Sequence, residues 1–266
     1  MKHLIIANYV VVLNSMSSGT KVYFASDFHL GSFPYDSSTE REKQIVAWLD
    51  AIKHDASALY LVGDIFDFWF EYQSVVPKGY VRFLGKLAEL ADLGVKITLF
   101  KGNHDMWMFG YLTHELNAEI VSNEKHLWLD GKKFFVHHGD GLGPGDRRYK
   151  WLKKIFRSGL CQWLFARIHP NLGIAIARQW SKHSRISSGA EEKFLGEDKE
   201  WLIVYAKEVL QKENFDYFIF GHRHLPYEQK LGKNSQIINL GEWINYQSYA
   251  VWDGQELKLK QWNFTG

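Results

Sequence analysis

The sequence predicts an α/β layered fold, and three observations carry that prediction. Apolar runs of strand length, each bounded by Gly or turn residues, recur along the chain. Between the first of them lie stretches with helical apolar spacing. Strands alternating with helices are the pattern of a layered α/β architecture. Near the C-terminus, further strand-like runs follow one another with only short turns between them.

In chain order, Val22 to Ser26 leads into Asp27-Phe28-His29, and Ala58 to Val62 into Gly63-Asp64. Val95 to Phe100 leads into Gly102-Asn103-His104-Asp105, and Lys133 to His137 into His138-Gly139-Asp140. Phe215 to Phe220 leads into Gly221-His222-Arg223-His224. Ile45, Trp48, Leu49 and Ile52 give Glu40 to Ile52 one apolar helical face, and Phe83, Leu84, Leu87 and Leu90 do the same for Tyr80 to Leu93. Gln236 to Leu240, Tyr249 to Trp252 and Leu257 to Trp262 read as strands in hairpin-like succession.

Composition narrows the chemistry. The 266 residues, 46% hydrophobic, suffice for one large domain with an insertion. Cys161 is the only cysteine, so neither an internal disulfide nor a multi-thiolate zinc site is available, and Cys161 reads as a small buried hydrophobe. Any metal must be held by N and O ligands. No run of about 20 apolar residues is present to cross a membrane as a helix. The short apolar run Leu4 to Leu13 has no small-residue cleavage motif after it, so no signal peptide is expected. Residues 1–20 read as an N-terminal extension, with residues 1–15 non-native and Met16 as the original start. The domain then occupies 21–266.

Residues 147–190 stand apart. They hold ten basic residues and no Asp or Glu, whereas the rest of the chain carries 22 basic against 30 acidic residues. Leu152, Ile155, Phe156, Leu160, Trp163, Leu164 and Ile168 fall at helical spacing. This segment reads as an inserted helical cap, greasy and strongly positive, that attracts an anionic ligand or surface. Arg147, Arg148, Lys150 and Arg178 are its expected phosphate contacts.

The polar residues at the run ends suggest a metal centre. Asp27 and His29 are two apart, as are His222 and His224. If strand geometry persists, each pair points to one face. Asp64, Asn103, His104 and His138 end the other runs, so five strands deliver ligands to one edge of a sheet, where open α/β sheets bind. A lone Asp at such a place is commonly a cap or turn former, and a lone His is commonly satisfied by a carbonyl. Five such clusters in order exceed what caps explain. Imidazole with carboxylate suits Mn, Fe or Zn rather than Ca. Of the neighbours His137 and His138 only one can face the site. His138, which precedes Gly139-Asp140, is chosen, and His137 is expected to pack.

The set Asp27-Phe28-His29, Gly63-Asp64, Gly102-Asn103-His104-Asp105, His138 and Gly221-His222-Arg223-His224 resembles the calcineurin-like metallophosphoesterases over about residues 21–245. The resemblance implies a four-layer αββα sandwich and two divalent ions, most readily Mn2+. It assigns Asp27, His29, Asp64 and His224 to one ion and Asp64, Asn103, His138 and His222 to the other, with Asp64 as the bridge. It further implies that His104, oriented by Asp105, stabilises the transition state or protonates the leaving group. Ser26 to Gly31, Gly63 to Trp69, His138 to Gly141 and the basic, apolar insertion are most similar to the UDP-2,3-diacylglucosamine hydrolases. His104 departs from the Arg of the best-known members of that group.

That group implies cleavage of a lipid-linked nucleotide at its pyrophosphate, giving UMP and lipid X on the path to lipid A, by a cytoplasmic enzyme held peripherally on the inner membrane. The competing class is a nuclease or nucleotide phosphodiesterase of the same superfamily, whose nucleic-acid affinity would fall steeply with salt. The periodic apolar stripe of the cap argues against a nucleic-acid partner. A fold that has lost its metals and only docks a partner is disfavoured because every expected ligand is retained.

Overall fold

A computed structural model describes residues 11–12, 20–143, 147–187 and 193–263. In chain order these form β1 (Val11–Val12), β2 (Lys21–Ala25), α1 (Tyr35–Ile52), β3 (Ala56–Leu61), α2 (Val81–Asp92) and β4 (Lys96–Phe100). Then come α3 (Tyr111–Leu116), β5 (Glu119–Val121), β6 (Lys125–Leu129), β7 (Lys132–His137), α4 (Arg147–Phe156), α5 (Gly159–Phe165) and α6 (Pro170–Ser187). The chain closes with α7 (Trp201–Leu210), β8 (Tyr217–Phe220), β9 (Tyr227–Leu231), β10 (Ser235–Asn239), β11 (Ser248–Trp252) and β12 (Leu257–Gln261).

The strands make two six-stranded sheets, ordered β12-β11-β2-β3-β4-β5 and β1-β6-β7-β8-β10-β9. Side chains on a strand alternate between faces, and that period of two builds the layers. On β2, Val22 and Phe24 enter the core between the sheets, where they meet Phe134, Val136, Ile219 and Ile238. Tyr23 and Ala25 enter the outer core under α1 and α2, with Trp48, Leu49, Phe83 and Leu87. On the other sheet Phe135, Phe218 and Phe220 turn outward onto Leu202, Ile203 and Ala206 of α7. The result is the four-layer αββα sandwich. Full burial of one such ring contributes about 1.5–3 kcal/mol.

The expected run of hairpins at the C-terminus is split between the sheets. β9 pairs with β10 in one sheet, and β11 pairs with β12 and β2 in the other. Periodicity marks which residues share a face but does not say which sheet a strand joins. The expected extension 1–20 lies outside the described residues except for Val11–Val12 and Thr20, and Val11–Val12 pair in parallel with β6.

Helices α4, α5 and α6 fall within the expected cap, between β7 and α7. Phe156, Phe165, Ile174 and Ala177 pack on Phe68, Phe70 and Trp107, which rise from the β3–α2 and β4–α3 loops. The Trp107 indole N–H donates to the Phe156 carbonyl at 2.8 Å. Lys153 Nζ lies 2.6 Å from the Asp140 carboxylate, which ties α4 to the loop after β7. Large apolar side chains remain on the cap surface, among them Trp151, Leu160, Trp163 and Leu172. Cys161 is half-buried in α5 rather than fully buried as expected.

Candidate metal centre

The site residues occupy the C-terminal ends of strands from both sheets, not one edge of a single sheet. β2, β3 and β4 of the first sheet precede Asp27 and His29, Asp64, and Asn103 and His104. β7 and β8 of the second precede His138, and His222 and His224. The strands of these two groups run parallel within their sheets. Their ends meet, so the cleft is closed by both sheets.

Strand geometry does not persist into the motifs. β2 ends at Ala25 and β8 at Phe220, and Asp27, His29, Asp64 and His222 all take positive φ, between 45° and 65°. Left-handed backbone at non-glycine residues costs about 1–3 kcal/mol each and persists only where surroundings over-determine it. Those surroundings are visible. Buried Arg41 on α1 donates to the carbonyls of Phe28 and His29 and to Ser32 Oγ, at 2.6–2.8 Å. The Asp105 carboxylate receives the backbone N–H groups of Asp64, Ile65, Phe66 and Gly102, at 2.7–3.3 Å. Gly102 is required by the close approach of Asp64, because a Cβ there would lie 2.1 Å from Asp64 Oδ1.

The Asp105 role corrects an expectation. Asp105 does not orient His104; its carboxylate is committed to the turn that carries Asp64. The His104 ring instead places Nδ1 3.1 Å from the Asp67 carbonyl and 3.3 Å from Ser181 Oγ. Residues 102–105 fold tightly enough that adjacent side chains diverge, so adjacency in the motif did not report contact.

Among the described residues, three groups of side chains place their ligand atoms within 4.8 Å of one another: Asp27, His29 and His224; His29, Asp64 and His104; and Asp64, His138 and His222. Asp27 Oδ2 accepts the His222 backbone N–H, which leaves Oδ1 without a hydrogen-bond partner, buried, and 3.3 Å from His224 Nε2. His29 Nε2 is 3.2 Å from His224 Nε2. In the second cluster His138 Nδ1 donates to the Val62 carbonyl at 2.8 Å, which turns Nε2 to within 3.3 Å of Asn103 Oδ1 and 3.4 Å of Asp64 Oδ2. A carbonyl that fixes the tautomer of an imidazole is the usual support for a metal-ligating histidine. The orphaned carboxylate oxygen, the converging imidazoles and the lack of thiolate fit a divalent cation with N and O ligands.

The electrostatics agree. Burial pushes the Asp27 carboxyl up, but the imidazoles of His224 and His29 beside it outweigh that and hold it well below the carboxylate range. Burial and the charge on His138 push His222 down to about 4. Burial would lower His138 too, yet the carboxylates of Asp64 and Asp27 push it up to about 10. Metal-free protein therefore carries a proton on His138 at neutral pH, while His222 is already neutral. A cation at His138 Nε2 must displace that proton. Between about pH 6 and 9, metal affinity is expected to rise about tenfold per pH unit with release of about one proton. Calorimetric titration in buffers of different ionisation enthalpy measures that proton, and zero release would contradict this charge state.

The remaining expected residues divide. Arg178 lines a cleft with Gly31, Asp67, Phe68, Pro77, Tyr80 and Ile174, and of these Asp67 meets His104 through its carbonyl. Lys150 Nζ donates to the Gly143 carbonyl at 2.6 Å, holding the loop after β7. The side chains of Arg147 and Arg148 lie outside the described residues. His137 packs as expected, its Nδ1 accepting from the Gly139 N–H at 2.7 Å. Asp67, Ser181 and Arg41 were not singled out from the sequence. Asp67 lies within a run already noted for its resemblance, whereas Ser181 and Arg41 carry no local signal.

Residues 20–226 match the calcineurin-like phosphoesterase family. A Porphyromonas gingivalis protein named UDP-2,3-diacylglucosamine hydrolase is 43% identical over 255 residues, covering 91% of this chain and 97% of the relative. A Shewanella baltica protein of the same name is 26% identical, covering 92% of this chain and 98% of the relative. Among solved structures, Yfce, a phosphoesterase from E. coli, aligns over 90% of this chain and 91% of its own with a TM-score of 0.43 and 18% identity.

Proposed function

This chain belongs to the calcineurin-like phosphoesterase family, and from that membership we propose that it hydrolyses the pyrophosphate of UDP-2,3-diacylglucosamine to UMP and 2,3-diacylglucosamine 1-phosphate. The observation that carries the substrate is the 43% identity to a hydrolase of that name over nearly the whole of both chains.

In this reading Asp27, His29, Asp64 and His224 hold one divalent ion, and Asp64, Asn103, His138 and His222 hold the other. The pair supplies Lewis acidity toward a phosphoryl oxygen and a water acidic enough to act as nucleophile at neutral pH. Mn2+, Fe2+ and Zn2+ all suit the ligands, with Mn2+ the first choice. The protein's own groups do the rest. With Nδ1 turned to the Asp67 carbonyl and Ser181 Oγ, His104 keeps Nε2 for substrate and stabilises the transition state or gives a proton to the leaving phosphate. Arg178, beside Asp67 and Phe68 in the adjoining cleft, supplies positive charge to the diphosphate. The apolar side chains of Phe68, Pro77, Tyr80 and Ile174 along the same cleft support an acyl-chain site.

No helix among the described residues is long and apolar enough to cross a membrane. Peripheral association with the cytoplasmic face of the inner membrane is supported by the cap, which combines its excess of positive charge with Leu160 at 69% and Trp151 at 66% exposure. Leu160→Glu together with Trp151→Glu is expected to lower retention on phosphatidylglycerol-containing vesicles at least tenfold while hydrolysis of bis(4-nitrophenyl) phosphate stays within twofold of wild type. Unchanged vesicle retention would contradict the association.

The substrate reading is tested by incubating the Mn2+-loaded protein with UDP-2,3-diacylglucosamine in mixed detergent micelles. Stoichiometric UMP is expected. Absence of UMP together with cleavage of nucleic-acid phosphodiesters would replace this reading with the nuclease one.

A further inference from the structure

The cap helix α6 reaches past the aromatic floor and touches the catalytic histidine. Ile174, Ala177 and Ser181 are spaced at i, i+3 and i+7, so they lie along one stripe of α6. Ile174 and Ala177 pack on the floor formed by Phe68, Phe70 and Trp107. Gly173 continues the stripe, and a Cβ there would lie 2.6 Å from the Tyr72 hydroxyl and 3.1 Å from the Phe165 ring. Close approach at Gly173 therefore seats the helix. One turn beyond Ala177, the stripe delivers Ser181, which is 6% exposed, to Asp67 and His104.

The hydroxyl has a single hydrogen. Its shorter contact is to Asp67 Oδ1 at 2.8 Å, an acceptor, so the hydrogen goes there. The hydroxyl lone pairs then face His104 Nδ1 at 3.3 Å. The second neighbour of Nδ1 is the Asp67 carbonyl at 3.1 Å, which can only accept. Facing two acceptors, Nδ1 must carry hydrogen, and Nε2 is the nitrogen left to meet substrate. Asp67 also lies 3.8 Å from His29 Nδ1, so the same carboxylate braces a proposed metal ligand.

We propose that Ser181, carried by cap helix α6, is a positioning residue for His104, so that the hydrolytic site is complete only when the cap is docked. The proposal rests on the reading of His104 as the group that acts on the transition state or leaving group. It gives the cap a second role beyond gripping acyl chains, because docking on the aromatic floor and the orientation of His104 become one event.

A double-mutant cycle tests it. Ser181→Ala is expected to lower kcat about tenfold, the effect of one lost hydrogen bond, with KM within twofold. Ser181→Thr, which keeps the hydroxyl, is expected to restore at least half of kcat. Ser181→Cys keeps the size with a poor hydrogen-bonding group. It is expected to match the Ala variant and serves in its place should that one fail to fold. In a His104→Ala background neither Ala nor Cys at 181 is expected to cost anything further.

An equal loss with and without His104 would overturn the proposal. So would a raised KM at unchanged kcat, which would make Ser181 a substrate contact, or wild-type kcat in the Cys variant. The cycle is run on both UDP-2,3-diacylglucosamine and bis(4-nitrophenyl) phosphate. Coupling on the nitrophenyl diester without UMP release overturns the substrate reading and supports the positioning. UMP release without coupling does the reverse.

Discussion

Asp64→Asn is expected to lower hydrolysis of both the lipid pyrophosphate and a chromogenic diester by at least about 10³-fold, with little change in thermal stability. Asp64 is the carboxylate that belongs to two of the three ligand clusters, one with His29 and His104 and one with His138 and His222. The other carboxylate of the clusters, Asp27, serves a single group. Asparagine keeps an oxygen to accept the His104 backbone N–H, a bond of 2.8 Å to Asp64 Oδ1, so the turn survives. What is lost is a buried negative charge facing imidazoles. Bound metal should fall from about two equivalents to one or fewer. Activity within tenfold of wild type would mean that no shared cation depends on this carboxylate.

Asp105→Ala is expected to do the opposite, acting first on stability. Four backbone N–H groups converge on the Asp105 carboxylate, and the side chain is fully buried. Each donor left unsatisfied costs about 1–3 kcal/mol, so a loss of roughly 4 kcal/mol or more is expected, equivalent to a fall in Tm on the order of 10 °C. His104→Ala removes a half-buried ring at the cleft and should leave Tm within a few degrees while kcat collapses. Thermal unfolding of the two variants side by side separates the roles. A stable Asp105→Ala protein with a His104→Ala-like loss of kcat would restore the idea that Asp105 serves His104.

Much of this was readable from the chain, and the boundary of legibility has a physical cause. Strand ends announced themselves because Gly or polar residues interrupt apolar runs. The ends of β2, β3, β4, β7 and β8 therefore carry the candidate ligands, and the αββα layering follows from the resemblance their order supports. The assembly of those ends was not readable. Asp27, His29, Asp64 and His222 reach the cleft through left-handed backbone rather than strand alternation, a choice imposed by distant groups such as Arg41 and Asp105. Alternation gives a side chain's face but not which sheet lies opposite. Spacing alone therefore puts every candidate ligand on one sheet edge, whereas strand ends from two sheets carry them. Ser181 illustrates the limit most simply. Its position on the α6 stripe is local, but its partners are 114 and 77 residues away in sequence.

The cap follows the same division. Its charge and helical period were visible in composition, whereas its seat on Phe68, Phe70 and Trp107 depended on loops whose conformation no period encodes. Lys150 stands out by charge alone, and the structure adds that its Nζ donates to the Gly143 carbonyl, a bond that no local pattern encodes.

In the proposed centre, residues from two sheets surround two neighbouring cations. Anomalous diffraction from crystals of the Mn2+-loaded protein, collected on both sides of the manganese absorption edge, tests it most directly. Two peaks flanking the Asp64 carboxylate are expected, one beside Asp27, His29 and His224 and one beside Asn103, His138 and His222. No peak at Asp64 in crystals shown by elemental analysis to contain manganese would contradict the account.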